Sequence, residues 1–208
     1  MMSVTRLRAG SAAVRVRVMT AVCGLGAGLV MGLAGCDSGD DVGGDKPGSP
    51  ASRGTDVPAV TTVTTLEKVG KALDDEHRAR VKAAVTDVVD PWFDAAFLGD
   101  FPRTDWSAAF ASFTRDAAAD AESRDLDLLT NAAISSQIDK ATATRRRVRL
   151  TVFADGGHAR GATAHFVLEF KTSGDLEESL RLRGDLYLSK VKGEWKIFGY
   201  DVDQAEPL

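Results

Sequence analysis

"RRRVRLTVFADGGHARGATAHFVLEF", residues 145–170, decides how this chain folds. Val148, Leu150 and Val152 alternate with Arg147, Arg149 and Thr151. A period of two belongs to an extended strand, whose successive side chains point to opposite faces. "ADGG" (154–157) supplies turn residues, and the alternation then resumes. Ala162, Ala164, Phe166, Leu168 and Phe170 take one face, and Thr163, His165, Val167 and Glu169 take the other. The stretch therefore reads as a β-hairpin with an apolar face and a polar face.

Downstream the same period continues. "TSGD" (172–175) turns the chain into a strand with Leu180, Leu182, Leu186 and Leu188 opposite Arg181, Arg183, Asp185 and Tyr187. "KVKGE" (190–194) reverses it into "WKIFGYDVD" (195–203), where Trp195, Ile197 and Gly199 alternate with Lys196, Phe198 and Tyr200. These four runs predict an antiparallel meander. Gly184, in mid-strand, predicts a bulge or a strong bend.

Upstream the apolar spacing changes to three and four. In "DDEHRARVKAAVTDVVDPWFDAAFL" (74–98), Val81, Val85, Val88, Trp92, Ala95 and Ala96 form one helical stripe. Pro91 lacks an amide donor and predicts a kink or break near Val89-Asp90. "FPRTDWSAAFASFTRDAAADA" (101–121) reads as a second helix, capped by Thr104 or Asp105, with Trp106, Phe110, Phe113 and Ala117 inward. A short third helix is expected around Arg124 to Thr130. The expected fold class is α+β: N-terminal helices packed on a curved four-stranded antiparallel sheet, with room for a cavity at the open end.

The front of the chain has another character. Arg6, Arg8, Arg15 and Arg17 precede an apolar run from Val18 to Leu33, and no acidic residue lies among them. A basic flank, an apolar run of fewer than about 20 residues and then small residues make an export signal rather than a membrane span. Leu33-Ala34-Gly35-Cys36 matches the lipobox, and the segment resembles a bacterial lipoprotein signal. That resemblance implies cleavage between Gly35 and Cys36 and a lipidated Cys36, hence a cell-membrane protein anchored on the extracytoplasmic face. Bulky Val22 makes Cys23 a poor competitor. The expected domains are a signal peptide at 1–35, a lipidated cysteine and a Gly/Ser/Asp/Pro tether at 36–64, and a folded domain at 65–208.

Charge and composition exclude several classes. The chain has 26 Lys and Arg against 30 Asp and Glu; without the four leader arginines the balance is 22 against 30, a net of −8. An acidic chain is a poor nucleic-acid binder, and its membrane attachment has to come from the anchor. With Cys36 lipidated, no thiolate or disulfide remains, and His77, His158 and His165 show no metal-ligand spacing such as HExxH. No metal or cofactor is expected.

The α+β pattern resembles the NTF2-like (SnoaL-like, cystatin-like) cone and, within it, extracytoplasmic domains of actinobacterial Mce-associated proteins and related lipoproteins. "PWFDAAFLGD", "LDLLT" and "GEWKIFGYDVD" carry the resemblance, over about residues 70–203. It implies a non-catalytic accessory module of an envelope complex, of the Mce lipid-import type. A second reading is a small apolar ligand in a cavity walled by Trp92, Asp94, Phe166, Phe170 and Trp195. A third is a steroid-isomerase-like enzyme with Asp94 as base and Tyr187, Tyr200 or Asp201 as donor, although no catalytic constellation of that superfamily maps onto these residues one by one. Arg147, Arg149, Arg181 and Arg183, on strands of matching phase, form a candidate docking patch for an acidic envelope partner or a lipid headgroup.

Overall fold

The computed structural model describes residues 59–69 and 73–208; the leader, Gly35, Cys36 and the tether as far as residue 58 lie outside the described residues. The hairpin occupies the centre of the sheet as β3 (Ile138–Asp155) and β4 (His158–Gly174). β5 (Ser179–Val191) and β6 (Glu194–Val202) continue it antiparallel. β1 (Val63–Val69) runs parallel along the free edge of β3. Two-residue strands, β2 (Gly99–Asp100) and β7 (Glu206–Pro207), pair with β3 and β5.

The expected fold class is thereby corrected. The domain is a single mixed sheet of seven strands with few helices, 47% strand against 32% helix, rather than helices packed on a four-stranded antiparallel sheet. Two segments account for the difference. β3 begins seven residues before Arg145, in "IDKATAT", whose small and charged residues show no clear alternation. β1 follows a polar tether, starts inside the stretch expected to be linker, and finds its partner far along the chain, Val63 opposite Arg147 and Leu66 opposite Leu150. Such a pairing leaves no local signature.

One face of the sheet is covered by α1 (Asp75–Phe97). Asp74 caps it, accepting the His77 N–H at 2.8 Å, a bond that holds the Asp74 carboxyl below its usual range. Val81, Val85, Val88, Val89, Trp92, Phe93, Ala96 and Phe97 are buried, and Thr64 of β1 meets Thr86 of the helix, Oγ1 to Oγ1, at 2.7 Å. The break expected at Val89-Asp90 is absent, and the helix runs through Pro91. Pro91 stands on the solvent side, while Val88, Val89, Trp92 and Phe93 on both sides of it are clamped to the sheet. Packing outweighs one missing ladder bond.

The other end of α1 is closed by Arg103, from the segment that follows it, and by Asn131, more than thirty residues on. Arg103 donates to the carbonyls of Ala95 at 2.9 Å and Asp94 at 3.3 Å, and also to that of Leu98. Asn131 supplies its backbone N–H to Ala96 at 3.0 Å and its Nδ2 to Phe97 at 2.8 Å. The last carbonyls of a helix have no partner within it, and here every one from Asp94 to Leu98 is bonded.

The second expected helix is divided. Ser107–Phe110 forms a 3-10 turn, and α2 (Arg115–Arg124) starts afresh with Thr114 as its cap. Between them the chain lies against β6: Thr114 N–H donates to Ile197 O at 2.8 Å, and Ile197 N–H donates to Ser112 O at 2.9 Å. Covering a sheet edge overrides the alanine-rich helix propensity. α3 (Leu126–Leu129) and a 3-10 turn at Ala132–Gln137 lead into β3.

Gly184 pairs without interruption with Phe166 on one side and Val202 on the other. It marks a close approach of β6, not the expected bulge. The irregularity in this ladder lies at Phe198, where Leu188 pairs with Ile197 but Tyr187 pairs with Gly199. One extra residue moves every later side chain to the opposite face. Tyr200, expected on the polar face, is therefore half-buried on the helix side, its ring 6.2 Å from Phe113 and its hydroxyl donating to Asp125 Oδ2 at 2.7 Å.

Burial, followed by the hydrogen bond to Asp125, pushes the Tyr200 phenol well above its ordinary 10.0. Above that pH the unfolded chain loses the proton and the folded chain retains it. The stabilisation is therefore whole below about pH 10 and is lost progressively as pH rises further. Denaturant midpoints followed from pH 8 to 11.5 should fall less steeply in Tyr200→Phe than in wild type. Parallel profiles would remove Tyr200 as the cause.

Candidate functional site

Among the described residues the sheet has one covered face and one open face, and the residues expected to form a site divide between them. Beneath α1, Trp92 is 1% exposed, Phe166 2% and Phe170 0%. Trp92 packs edge-on to Phe166 with ring centroids 5.1 Å apart and to Phe97 at 5.4 Å, and Phe97 continues to Phe170 at 6.3 Å. These residues form a filled core. Trp195 lies apart from them, lining a cleft of about 350 Å³ with Leu73, His77, Val81 and His158 at the other end of α1. Asp94 sits at the surface, ion-paired to Arg146.

The remaining acid–base candidates are not gathered either. Tyr187 is on the open face with its ring 6.4 Å from Phe198, Tyr200 is engaged by Asp125 on the covered side, and Asp201 is exposed. Among the described residues, no three His, Cys, Asp or Glu side chains are grouped to hold a metal ion.

Arg147, Arg149, Arg181 and Arg183 do come together. With Arg145, Val167 and Glu169 they surround a shallow depression of about 280 Å³ on the open face. The register brings them there, Arg147 opposite Val167 and Val167 opposite Arg183. Most of their charge is already matched. Arg149 meets Glu67 at 3.1 Å, Arg145 and Arg181 share Glu169 at 3.3 and 3.1 Å, and Arg183 spans Asp203 at 3.1 Å and Glu206 at 2.7 Å. Arg147 makes no ion pair among the described residues. The patch is a nearly neutral lattice of pairs, those to Glu67, Asp203 and Glu206 exposed and individually weak, those to Glu169 resting on a largely buried carboxylate.

Along the same strands, toward the other end, the chemistry changes. His165 Nδ1 lies 2.6 Å from Asp185 Oδ1, and its Nε2 lies 3.3 Å from Thr151 Oγ1. The file Asp185–His165–Thr151 is a cross-strand polar network, with His165 and Asp185 each about a third exposed. Acyl transfer at Thr151 would need hydrogen-bond donors for an oxyanion. The strand amides beneath it are engaged in the β-ladder.

Beyond this network lies a groove of about 460 Å³ floored by Thr151, Gly161, Thr163 and Tyr187 and flanked by Phe153 and Phe198. Phe153 is 67% exposed and Phe198 54%. Five large hydrophobic side chains are exposed among the described residues, and four of them (Val63, Phe153, Val191 and Phe198) fall on the open face by strand register. Monomeric proteins scatter such residues singly, so their collection on one face is informative.

Phe153 and Phe198 were not among the expected site residues. The signal for Phe153 was present, since it continues the outward series Arg147, Arg149, Thr151. The acids that neutralise the arginines were not foreseeable, because Glu67, Asp203 and Glu206 come from β1, from beyond β6 and from β7. No protein-family model matches the chain, and no curated protein matches it.

Proposed function

We propose that this chain is a lipid-anchored extracytoplasmic interaction module, tethered through Cys36, that docks a protein partner of the cell envelope on the open face of its sheet. The observation that carries this reading is the contrast between the two faces. The helix side is filled by Trp92, Phe93, Phe97, Phe166 and Phe170, whereas the open side presents solvent-exposed aromatics beside a lattice of arginines. A pocket enzyme or a carrier places its polar and apolar groups around a cavity, and here they spread over a surface. The resemblance noted in the sequence points to an envelope complex of the lipid-import type as the setting. A tether of Gly, Ser, Asp and Pro between Cys36 and β1 suits a domain that reaches for such a partner while staying at the membrane.

Metabolic labelling with palmitate and in-membrane crosslinking test the two halves together. Cys36→Ala should lose the label. The pair Arg147→Glu and Arg181→Glu should keep the label and lose crosslinked partners. Continued labelling of Cys36→Ala would overturn the anchor, and an unchanged crosslinking pattern in the arginine pair would overturn the docking face.

A further inference from the structure

We infer that the cleft beside the start of α1 binds a phosphate monoester carrying a small apolar group, its phosphate held by Lys190, His158, Arg80 and His77. The cleft shares no residue with the arginine lattice or the aromatic groove, and the inference goes beyond the docking of a protein partner on the open face.

Three apolar series turn basic at this one end of the domain. β5 buries Leu182, Leu186 and Leu188, and the next residue of that phase is Lys190. The buried stripe of α1 runs back from Val88 through Val85 to Val81, and one turn earlier the position belongs to His77. Ala162 and Ala159 of β4 are buried, and the strand begins at His158. Basic groups beside a core are costly unless something pairs them. Here they converge with Arg80 on a cleft of about 350 Å³. The His77 and His158 rings stand edge to face with centroids 6.4 Å apart, and Lys190 Nζ lies 5.5 Å from the centre of the Trp195 ring.

Their charge is poorly matched within the chain. No carboxylate is among the described residues that line the cleft. Asp74 meets His77 Nδ1 at 2.7 Å and Glu76 meets Arg80 at 3.2 Å, but both acids are largely exposed and such pairs are weak. Among the described residues, Lys190 and His158 make no ion pair, and His77 Nε2 has no hydrogen-bond partner. The arginines of the open face differ, since Glu67, Glu169, Asp203 and Glu206 already neutralise them.

Chemistry narrows the ligand. The basic groups come from three elements, α1, β4 and the end of β5. A phosphate monoester offers three acceptor oxygens and a charge of about −1.5 to −2 at neutral pH, enough to engage several donors together. The remaining lining is apolar, with Leu73, Val81, Ala84 and Trp195. Inorganic phosphate would leave those walls uncovered, whereas an apolar substituent fills them, and small-molecule sites start at about 300 Å³. A free monoester and the headgroup of a phosphatidic acid present the same chemistry.

The test titrates hexyl phosphate calorimetrically into the full processed protein held in phosphatidylcholine nanodiscs, with empty discs subtracted. Hexyl phosphate should bind one to one. Inorganic phosphate and hexanol should each bind at least about tenfold more weakly, because each lacks half of what the cleft recognises. Lys190→Gln and His158→Gln should each weaken hexyl phosphate by about three- to tenfold and leave hexanol unchanged. Both side chains are exposed, and an unchanged circular dichroism spectrum would confirm the fold of the variants. Discs containing phosphatidic acid separate the two sources. A weakened response to hexyl phosphate in those discs assigns the site to the lipid headgroup, an unaltered one assigns it to a soluble monoester, and either supports a phosphate site. The absence of saturable heat from hexyl phosphate in wild type overturns the proposal, as does an affinity unmoved by Lys190→Gln and His158→Gln together. The pair Arg147→Glu and Arg181→Glu should titrate as wild type, whatever its crosslinking shows, and a loss of binding there would place the phosphate on the open face and overturn the cleft.

Discussion

Trp92→Ala should lower the free energy of unfolding by about 3–5 kcal/mol, the range for truncating a buried aromatic, and the thermal midpoint by roughly 10 °C for a domain of this size. Trp92 is 1% exposed and touches three aromatic neighbours, Phe93, Phe97 and Phe166, at centroid separations of 5.4, 5.4 and 5.1 Å. Phe93 also packs on Phe166 at 5.6 Å, so α1 is joined to the sheet by a cluster that cannot collapse around a gap the size of an indole ring. Trp92→Phe should cost far less. The indole Nε1 is buried with no hydrogen-bond partner, so the smaller ring loses area but also removes an unsatisfied donor. Thermal denaturation of the two variants separates packing from polarity. Equal losses would show that indole size alone matters, and a loss below about 1 kcal/mol in Trp92→Ala would remove the cluster as the main link between helix and sheet.

Gly184→Ala should destabilise by about 3 kcal/mol, the upper part of the range for overpacking, although alanine is otherwise a mild change in a strand. A Cβ at this position would collide with the Asp201 carbonyl oxygen and would lie 2.7 Å from Val202 Cα. Both contacts are backbone, so no side chain can rotate away, and β6 would have to separate from β5. The last residues of β6 would loosen first, and with them Tyr200, whose hydroxyl ties the sheet to Asp125 beneath α2. Amide exchange should therefore accelerate at Tyr200 to Val202 more than at Trp195 to Ile197. Uniform acceleration across β6 would contradict this local account.

How far the sequence could be read follows from the range of the forces involved. The hairpin at 145–170 was legible because alternation is a property of neighbouring residues. Its inward series Val148, Leu150, Val152 and Ala162 to Phe170 is the buried series in the structure. The stripe of α1 was legible for the same reason. Errors arose wherever a contact distant in sequence outweighed a local preference. Pro91 stayed helical because both flanks are clamped to the sheet, the alanine-rich helix was divided by Ile197, and β1 was invisible until β3 stood beside it. At the candidate site, the grouping of Arg147, Arg149, Arg181 and Arg183 followed from strand phase, but their neutralisation by acids from three other segments did not. Trp92, Phe166 and Phe170, expected to wall a cavity, are packed as core.

Periodicity, composition and the Leu33-to-Cys36 motif, by themselves, determined the hairpin, the long helix, the acidic balance and the expectation of a lipid anchor. Each of these depends on residues within a few positions of one another. Tertiary structure alone decided the seven-stranded mixed sheet, the filled space beneath α1 and the face left open, because each is set by which distant segments meet. A single bulge at Phe198, one residue long, was enough to exchange the faces of Tyr200 and its neighbours, and it could emerge only when β6 took its place against β5.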